Sequence, residues 1–326
     1  MTTNSTREAE MNTNEDALPS GRGPAVLPGS TQFDLASRIT GRTYRIFISR
    51  PPGAAPAKGY PLFMATDGNM VFPIAAAVNA TFGMAGKAAL VVGVGYPSDA
   101  PMELMSLRTR DLTPPTPLER LPQRPHLPPP KLEDYGGDEE FFRFLTEELT
   151  PLLAEAYPID DADRTLYGHS WGALFTVGVL LKHPESFRHF VASSPSIWWN
   201  KCAVLNHLTS FRAKVQGRSA SPRVLLTVGA AEESVPKPIP QVILDQVTER
   251  AAWIPPLFRG LVAQWFVGKM LREYRMVGNA RRLAARLRDV RGGEDYRVRF
   301  REFAGEDHIT SLPASVGRAF DFVLRS

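Results

Sequence analysis

The sequence predicts an α/β fold: a sheet of eight strands, mostly parallel, covered by helices on both faces. Three observations carry that expectation. The chain begins with two short alternating runs joined by a turn, and the later β-rich runs are mostly separated by helical patterns. One of those runs also leads through a Gly-x-Ser-x-Gly turn straight into an apolar helix.

Taken in order, residues 33–38 and 44–50 alternate apolar and polar side chains on either side of Thr40 and Gly41, which reads as a β-hairpin. Further strands are expected at residues 60–66, 88–93, 165–167, 189–192, 224–228 and 296–303. Two regions break the rhythm. Residues 97–135 carry Pro114, Pro115, Pro117, Pro128, Pro129 and Pro130, and a residue without an N–H predicts an irregular loop there rather than a regular element. In residues 234–293, Trp253, Ile254, Leu257, Phe258, Leu261, Val262, Trp265, Phe266 and Met270 recur at helical spacing, predicting a helical insertion near the functional site. The plainer alternative is a crossover helix, for which about a dozen residues suffice. The organisation expected is a disordered tail at residues 1–28 and one domain at 29–326, with insertions at about 97–135 and 234–293.

Composition narrows the class. Hydrophobic residues make up 43% and charged residues 22%, a soluble globular balance, and no run approaches the ~20 apolar residues of a membrane span. The N-terminal segment is polar and lacks a basic start followed by an apolar core, so a cytoplasmic protein is expected. Cys202 is the single cysteine, which excludes an intrachain disulfide or a zinc cluster and leaves a packing role. Formal charge is 38 − 34, or +4. Part of that excess sits on Arg275, Arg281, Arg282, Arg286 and Arg288, which alternate with Leu283, Ala284, Leu287 and Val290 at helical spacing. That pattern predicts a solvated helix face with a weak preference for anionic ligands, not a nucleic-acid partner. Membrane contact is not expected, and oligomeric state is not set by the sequence.

The residues that carry chemistry centre on Gly168-His169-Ser170-Trp171-Gly172. A strand, a strained turn and a helix in that order are the setting of the nucleophile elbow of the α/β-hydrolase fold, so Ser170 is the expected nucleophile. A hydroxyl is too weak an acid to attack an ester unaided and needs a histidine to take its proton. His308 follows the last predicted strand, in Gly305-Glu306-Asp307-His308, and is the expected base. His169 adjoins the serine and is expected to pack or bond the elbow, whereas His126, His183, His189 and His207 fall where surface or packing roles are expected. For the acid, Glu232 stands three residues beyond Gly229 and is preferred to Glu233, with a serine–histidine dyad lacking any acid as the alternative. The oxyanion donors are expected to be the backbone N–H of Trp171 and that of Gly68 or Asn69, in the loop after the third strand.

From about Arg42 onward the segments R-T-Y-R-I-F-I-S-R-P, D-G-N-M-V-F-P, V-V-G-V-G-Y-P, R-T-R-D-L-T-P, Y-G-H-S-W-G-A-L-F and S-S-P-S-I-W-W-N make the chain resemble the putative esterase family of the α/β-hydrolase superfamily, which includes enterochelin esterases and related trilactone siderophore hydrolases. The resemblance implies a serine esterase without metal or cofactor. Its implied partner is a small-molecule ester, a catecholate trilactone siderophore often taken as its ferric complex. It also implies that Arg110, Asp111, Trp198 and Trp199 line the substrate cleft, where a cation and aromatic faces would suit an anionic aromatic ligand. The plainer readings are a structural ion pair for Arg110 and Asp111 and strand-end packing for the tryptophans. The chain departs from the family pattern where Ala173 replaces a second glycine after the elbow, where Ala230 replaces an acid after the seventh strand, and in a longer helical connection at residues 253–291. Competing readings are a general carboxylesterase or acyltransferase, and a catalytically silent binding protein.

Overall fold

The computed structural model describes residues 26–121, 131–235, 238, 245 and 256–325. The chain starts with β1 (Ser30–Ala36), β2 (Thr43–Ser49) and β3 (Tyr60–Ala65), then α1 (Gly68–Gly83), β4 (Leu90–Gly95) and α2 (Pro101–Leu112). A broken helix follows as α3 (Asp138–Arg143), a π-helical stretch at Phe144–Leu149 and α4 (Thr150–Ala156), leading into β5 (Ile159–His169) and α5 (Trp171–Lys182). Next come β6 (His189–Ser193), α6 (Leu208–Gln216) and β7 (Arg223–Gly229). The described chain ends with α7 (Pro256–Tyr274), α8 (Met276–Arg288), β8 (Arg297–Phe303) and α9 (Ser311–Arg325).

Among the described residues, eight strands form one sheet in the order β1-β2-β4-β3-β5-β6-β7-β8. The β1/β2 and β2/β4 pairings are antiparallel, and every later pairing is parallel. This is the α/β-hydrolase sheet, with all eight predicted strands present. The central strands read as unbroken apolar runs because both of their faces are covered. In β3, Leu62 and Met64 join the core on one face while Phe63 and Ala65 join the core on the other, and β4 divides Leu90, Val92 and Val94 from Val91 in the same way. One core is closed by α1 and α9, where Phe63 stacks on Phe320 at 4.3 Å. The other is closed by α5 with α3, α4, α6 and α8.

Two expectations about local structure need correction. Residues 97–135 are not simply a loop, because Pro101–Leu112 is a three-turn helix. Pro101 occupies its first turn, where an N–H has no intrahelical partner, and the next proline, Pro114, comes only after the helix has ended. Proline count over the window misled where proline position would have informed. Strand β5 is also much longer than 165–167, because the polar stretch Asp160 to Asp163 still belongs to it, between Ile159 and Arg164, which pair with β3 across a register shift. In the second insertion, α7 and α8 bear out the helical reading, while Trp253 and Ile254 lie outside the described residues. So do His126 and Pro128 to Pro130, as well as the expected tail as far as residue 25. The arginine pattern resolves as expected: Leu283, Ala284 and Leu287 of α8 are buried, and Arg281, Arg282 and Arg286 are exposed. Among the described residues no helix is long and apolar enough to cross a membrane.

Candidate active site

Five loops that leave the C-terminal ends of parallel strands bring the chemistry together, as expected for an open α/β sheet. At the end of β5, Ser170 adopts φ 59° and ψ −115°, a conformation unfavourable for a residue with a side chain. Two backbone bonds fix it: Ser170 N–H donates to the Ser193 carbonyl at 2.9 Å, and Ser196 N–H donates to the Ser170 carbonyl at 3.3 Å. The flanking glycines are required by space. A Cβ on Gly168 would overlap the Gly172 carbonyl, and a Cβ on Gly172 would overlap the Thr66 hydroxyl beside the Asp67 carboxylate. Ala173 is buried without interrupting α5, so the methyl that departs from the family pattern is accommodated.

His308, on the loop after β8, faces the serine. Its Nε2 lies 3.0 Å from Ser170 Oγ, and its Nδ1 lies 2.8 Å from Glu232 Oε2. An ionised carboxylate only accepts, so Nδ1 carries the hydrogen and Nε2 presents a lone pair to the serine hydroxyl. Glu232 is only 4% exposed, yet its charge is well met. Oε1 accepts from the Gly229 N–H at 2.7 Å and from the Ser194 hydroxyl at 2.5 Å, leaving Oε2 for the histidine. Glu233 points elsewhere, accepting from the Gly278 N–H at the start of α8 at 2.8 Å. The two adjacent glutamates thus do different jobs, one facing the histidine and one capping a helix.

His169 lies under His308, with ring centroids 4.9 Å apart, and shares a 3.1 Å hydrogen bond with the Ser193 hydroxyl. Burial, then the nearby His308 and Arg108 charges, lower its pKa to about 3, so it stays neutral beneath the His308 ring. Ser194, which the sequence reading missed, holds φ 50° and also contacts the Ser311 hydroxyl at 3.0 Å, tying the β6, β7 and β8 loops together.

On the oxyanion side, Trp171 starts α5 and Gly68 and Asn69 start α1, so all three N–H groups belong to first turns that a helix's own ladder does not use. Gly68 packs against the β4 backbone, where a Cβ would lie 2.7 Å from the Gly93 carbonyl carbon. The Asn69 side chain is spent on the chain leaving β4, donating to the Tyr96 carbonyl at 2.9 Å and accepting from the Tyr96 N–H at 2.8 Å. It latches the loop, and only its backbone is available to an oxyanion. A second residue missed from sequence is Arg108, which pairs in bidentate fashion with Asp67 at 2.7 and 2.8 Å and lies 5.1 Å over the Trp171 ring. Treating 101–112 as a helix would have flagged it: positions two apart on a helix diverge by about 200°, so Arg108 and Arg110 cannot face the same way.

The expected cleft residues divide. Arg110 is brought to the segment at 133–140, donating to the Glu133 carbonyl at 2.6 Å and to Glu140 at 3.3 Å. Asp111 is buried, accepting from the Tyr96 hydroxyl at 3.1 Å and pairing with Arg42 at 3.5 Å, and desolvation raises its carboxyl to about 6. Trp199 is 1% exposed and donates to the Thr116 hydroxyl at 2.9 Å. Arg110 is thus tied to the segment at 133–140, Asp111 to residues flanking β4 and β2, and Trp199 to Thr116. Trp198 alone of the four is a half-buried aromatic on the turn beside the elbow, stacked on Tyr274 of α7 at 3.9 Å. That stack and the Glu233–Gly278 bond bring α7 and α8 against the loops that follow β6 and β7.

Comparison with known proteins agrees with this geometry. Residues 37–257 match the family described as "Putative esterase". The chain is 34% identical over 304 residues to the ferri-bacillibactin esterase of Bacillus subtilis, covering 92% of this chain and 91% of the relative. It is 28% identical over 307 residues to the siderophore triacetylfusarinine C esterase of Aspergillus fumigatus, covering 90% and 93%. Among solved structures, the BES protein of Bacillus cereus superposes with a TM-score of 0.73 at 28% identity, over 93% of this chain and 98% of that one. With a match of this extent and a strained serine elbow facing a histidine backed by a buried glutamate, the chain belongs to the putative esterase family of the α/β-hydrolase fold.

Proposed function

We propose that the protein is a serine esterase that opens the ester bonds of a siderophore. The observation that carries the chemistry is the unbroken line from Ser170 Oγ to His308 to Glu232. The substrate class is supported by relatives named for siderophore ester hydrolysis along nearly the whole chain.

In this reading Ser170 Oγ attacks the ester carbonyl carbon while His308 Nε2 takes its proton. The carbonyl oxygen becomes an oxyanion, which accepts from the Trp171 N–H and from the Gly68 or Asn69 N–H. Collapse breaks the bond to the alcohol oxygen, which receives the proton from Nε2 and leaves. Water then attacks the acyl-serine, gives its proton to Nε2, and the acid departs as the proton returns to Ser170. Through both halves Glu232 holds the Nδ1 hydrogen and stabilises the imidazolium. Trp198, on the turn after Ser196, is the proposed aromatic wall for a ring of the substrate.

The test is product analysis of wild type and Ser170→Ala with ferric and iron-free catecholate trilactones. Wild type should yield opened products and the variant none. Cleavage of p-nitrophenyl acetate with intact trilactones would overturn the siderophore reading and keep the esterase; absence of Ser170-dependent fluorophosphonate labelling would overturn both.

A further inference from the structure

We propose that Arg108 is a positioning residue that couples the two halves of the oxyanion hole and neutralises a carboxylate buried between them. The proposal rests on the esterase reading above and adds a residue that takes no part in proton transfer. Its starting point is Asp67. This residue precedes α1 in the left-handed region, at φ 54° and ψ 44°, where a non-glycine residue is disfavoured, and its side chain makes no capping bond to the helix. Some other contact must hold the conformation that aims the Gly68 and Asn69 amides. The Arg108 fork supplies it, with Nε on one carboxylate oxygen and Nη2 on the other, and both side chains nearly buried at 14% and 5% exposure.

The same guanidinium acts on the other donor. Its Cζ lies 5.1 Å over the ring of Trp171, whose backbone N–H is the first of α5. Asp67 also reaches that helix: a Cβ on Gly172 would lie 3.0 Å from its Oδ2. The ion pair therefore wedges between the tips of α1 and α5, and a shift of either tip is resisted by a contact to the other.

Charge gives the second part of the argument. An uncompensated carboxylate at this place would repel an oxyanion developing on the adjacent amides, and Coulomb repulsion is strong in a site with little water. Arg108 cancels that charge. It raises no oxyanion donor of its own, so its effect appears as the geometry becomes tetrahedral, not as the ester binds.

The experiment compares wild type with Arg108→Lys and Arg108→Met, using p-nitrophenyl acetate as substrate and a boronic acid that forms a tetrahedral serine adduct as inhibitor. Rates are normalised to sites titrated to completion with a fluorophosphonate, so an unfolded fraction drops out. Loss of one oxyanion donor costs roughly 10²–10³ in kcat. Arg108→Lys keeps the charge but loses the fork, and should lose about 10-fold in kcat; Arg108→Met should lose roughly 100-fold or more. In both, KM should stay within about twofold, and boronate affinity should fall in step with kcat. A raised KM with unchanged kcat would make Arg108 a substrate-binding residue and overturn the proposal. So would a fall in kcat with boronate affinity unchanged, which would place the loss outside the tetrahedral state. Wild-type turnover and Ser170-dependent labelling test the esterase reading separately, so failure of one is not failure of the other.

Discussion

Glu232 shows how one side chain can be fixed by two donors on one oxygen while leaving the other for chemistry. Gly229 N–H and the Ser194 hydroxyl both bind Oε1, which fixes the carboxylate plane and aims Oε2 at His308. Glu232→Gln puts an NH2 where one oxygen was; the Gly229 N–H can only donate and so keeps the amide oxygen on its side, which leaves the NH2 to donate to His308 Nδ1 and forces the hydrogen onto Nε2, the wrong tautomer for Ser170. Kinetics on p-nitrophenyl acetate should show kcat reduced by roughly 10³–10⁴ with little change in KM. A kcat within a few-fold of wild type would mean that Ser170 and His308 act as a dyad. The sequence made this residue legible because the loop is local: three residues beyond Gly229 returns the carboxylate to that glycine's own N–H. Ser194 was not legible, because no motif marks it and its partner Glu232 stands 38 residues away; Arg108 was hidden because the helix that carries it reads as a loop in sequence.

At the scale of elements, the tip of α1 is the least forgiving part of the site. Gly68 packs where a Cβ would lie 2.7 to 2.9 Å from the Gly93 and Val94 backbone, and a central strand hydrogen-bonded on both sides cannot yield. In Gly68→Ala the helix must retreat, carrying with it the amides proposed to bind the oxyanion. A displacement of ~1 Å can cost about 100-fold in rate, so kcat should fall by one to two orders of magnitude with a lowered Tm. Turnover equal to wild type would show that the second donor lies elsewhere. The central strands were readable because two buried faces leave an apolar run, and the first two because they alternate. Helix α2 was not, since its amphipathic pattern is weak and prolines crowd the segment around it.

Across the whole molecule, two buried titratable groups set opposing pH dependences on folding. His169 is held near 3 against an ordinary value of 6.5, so the unfolded chain takes up a proton that the native state refuses. Its contribution to stability is present above pH 6.5 and is lost as pH falls towards 3, at about 1.4 kcal/mol per pH unit. Asp111 behaves in the opposite sense. Its carboxyl is raised to about 6 from 3.8, so the native state takes up the proton first, and stability from this group grows as pH falls from 6 to 3.8. Through that window the two slopes offset one another, and wild type should change little on their account. Asp111→Asn removes one of the pair while its amide can still accept from the Tyr96 hydroxyl. The stability of the variant relative to wild type should rise between pH 4 and pH 7 by about 2 kcal/mol, measured by urea denaturation at each pH. Effects of His189 and the surface carboxylates are common to both proteins and cancel in the difference. A flat difference curve would mean that Asp111 stays ionised through the window, with Arg42 supplying enough compensation to offset its burial.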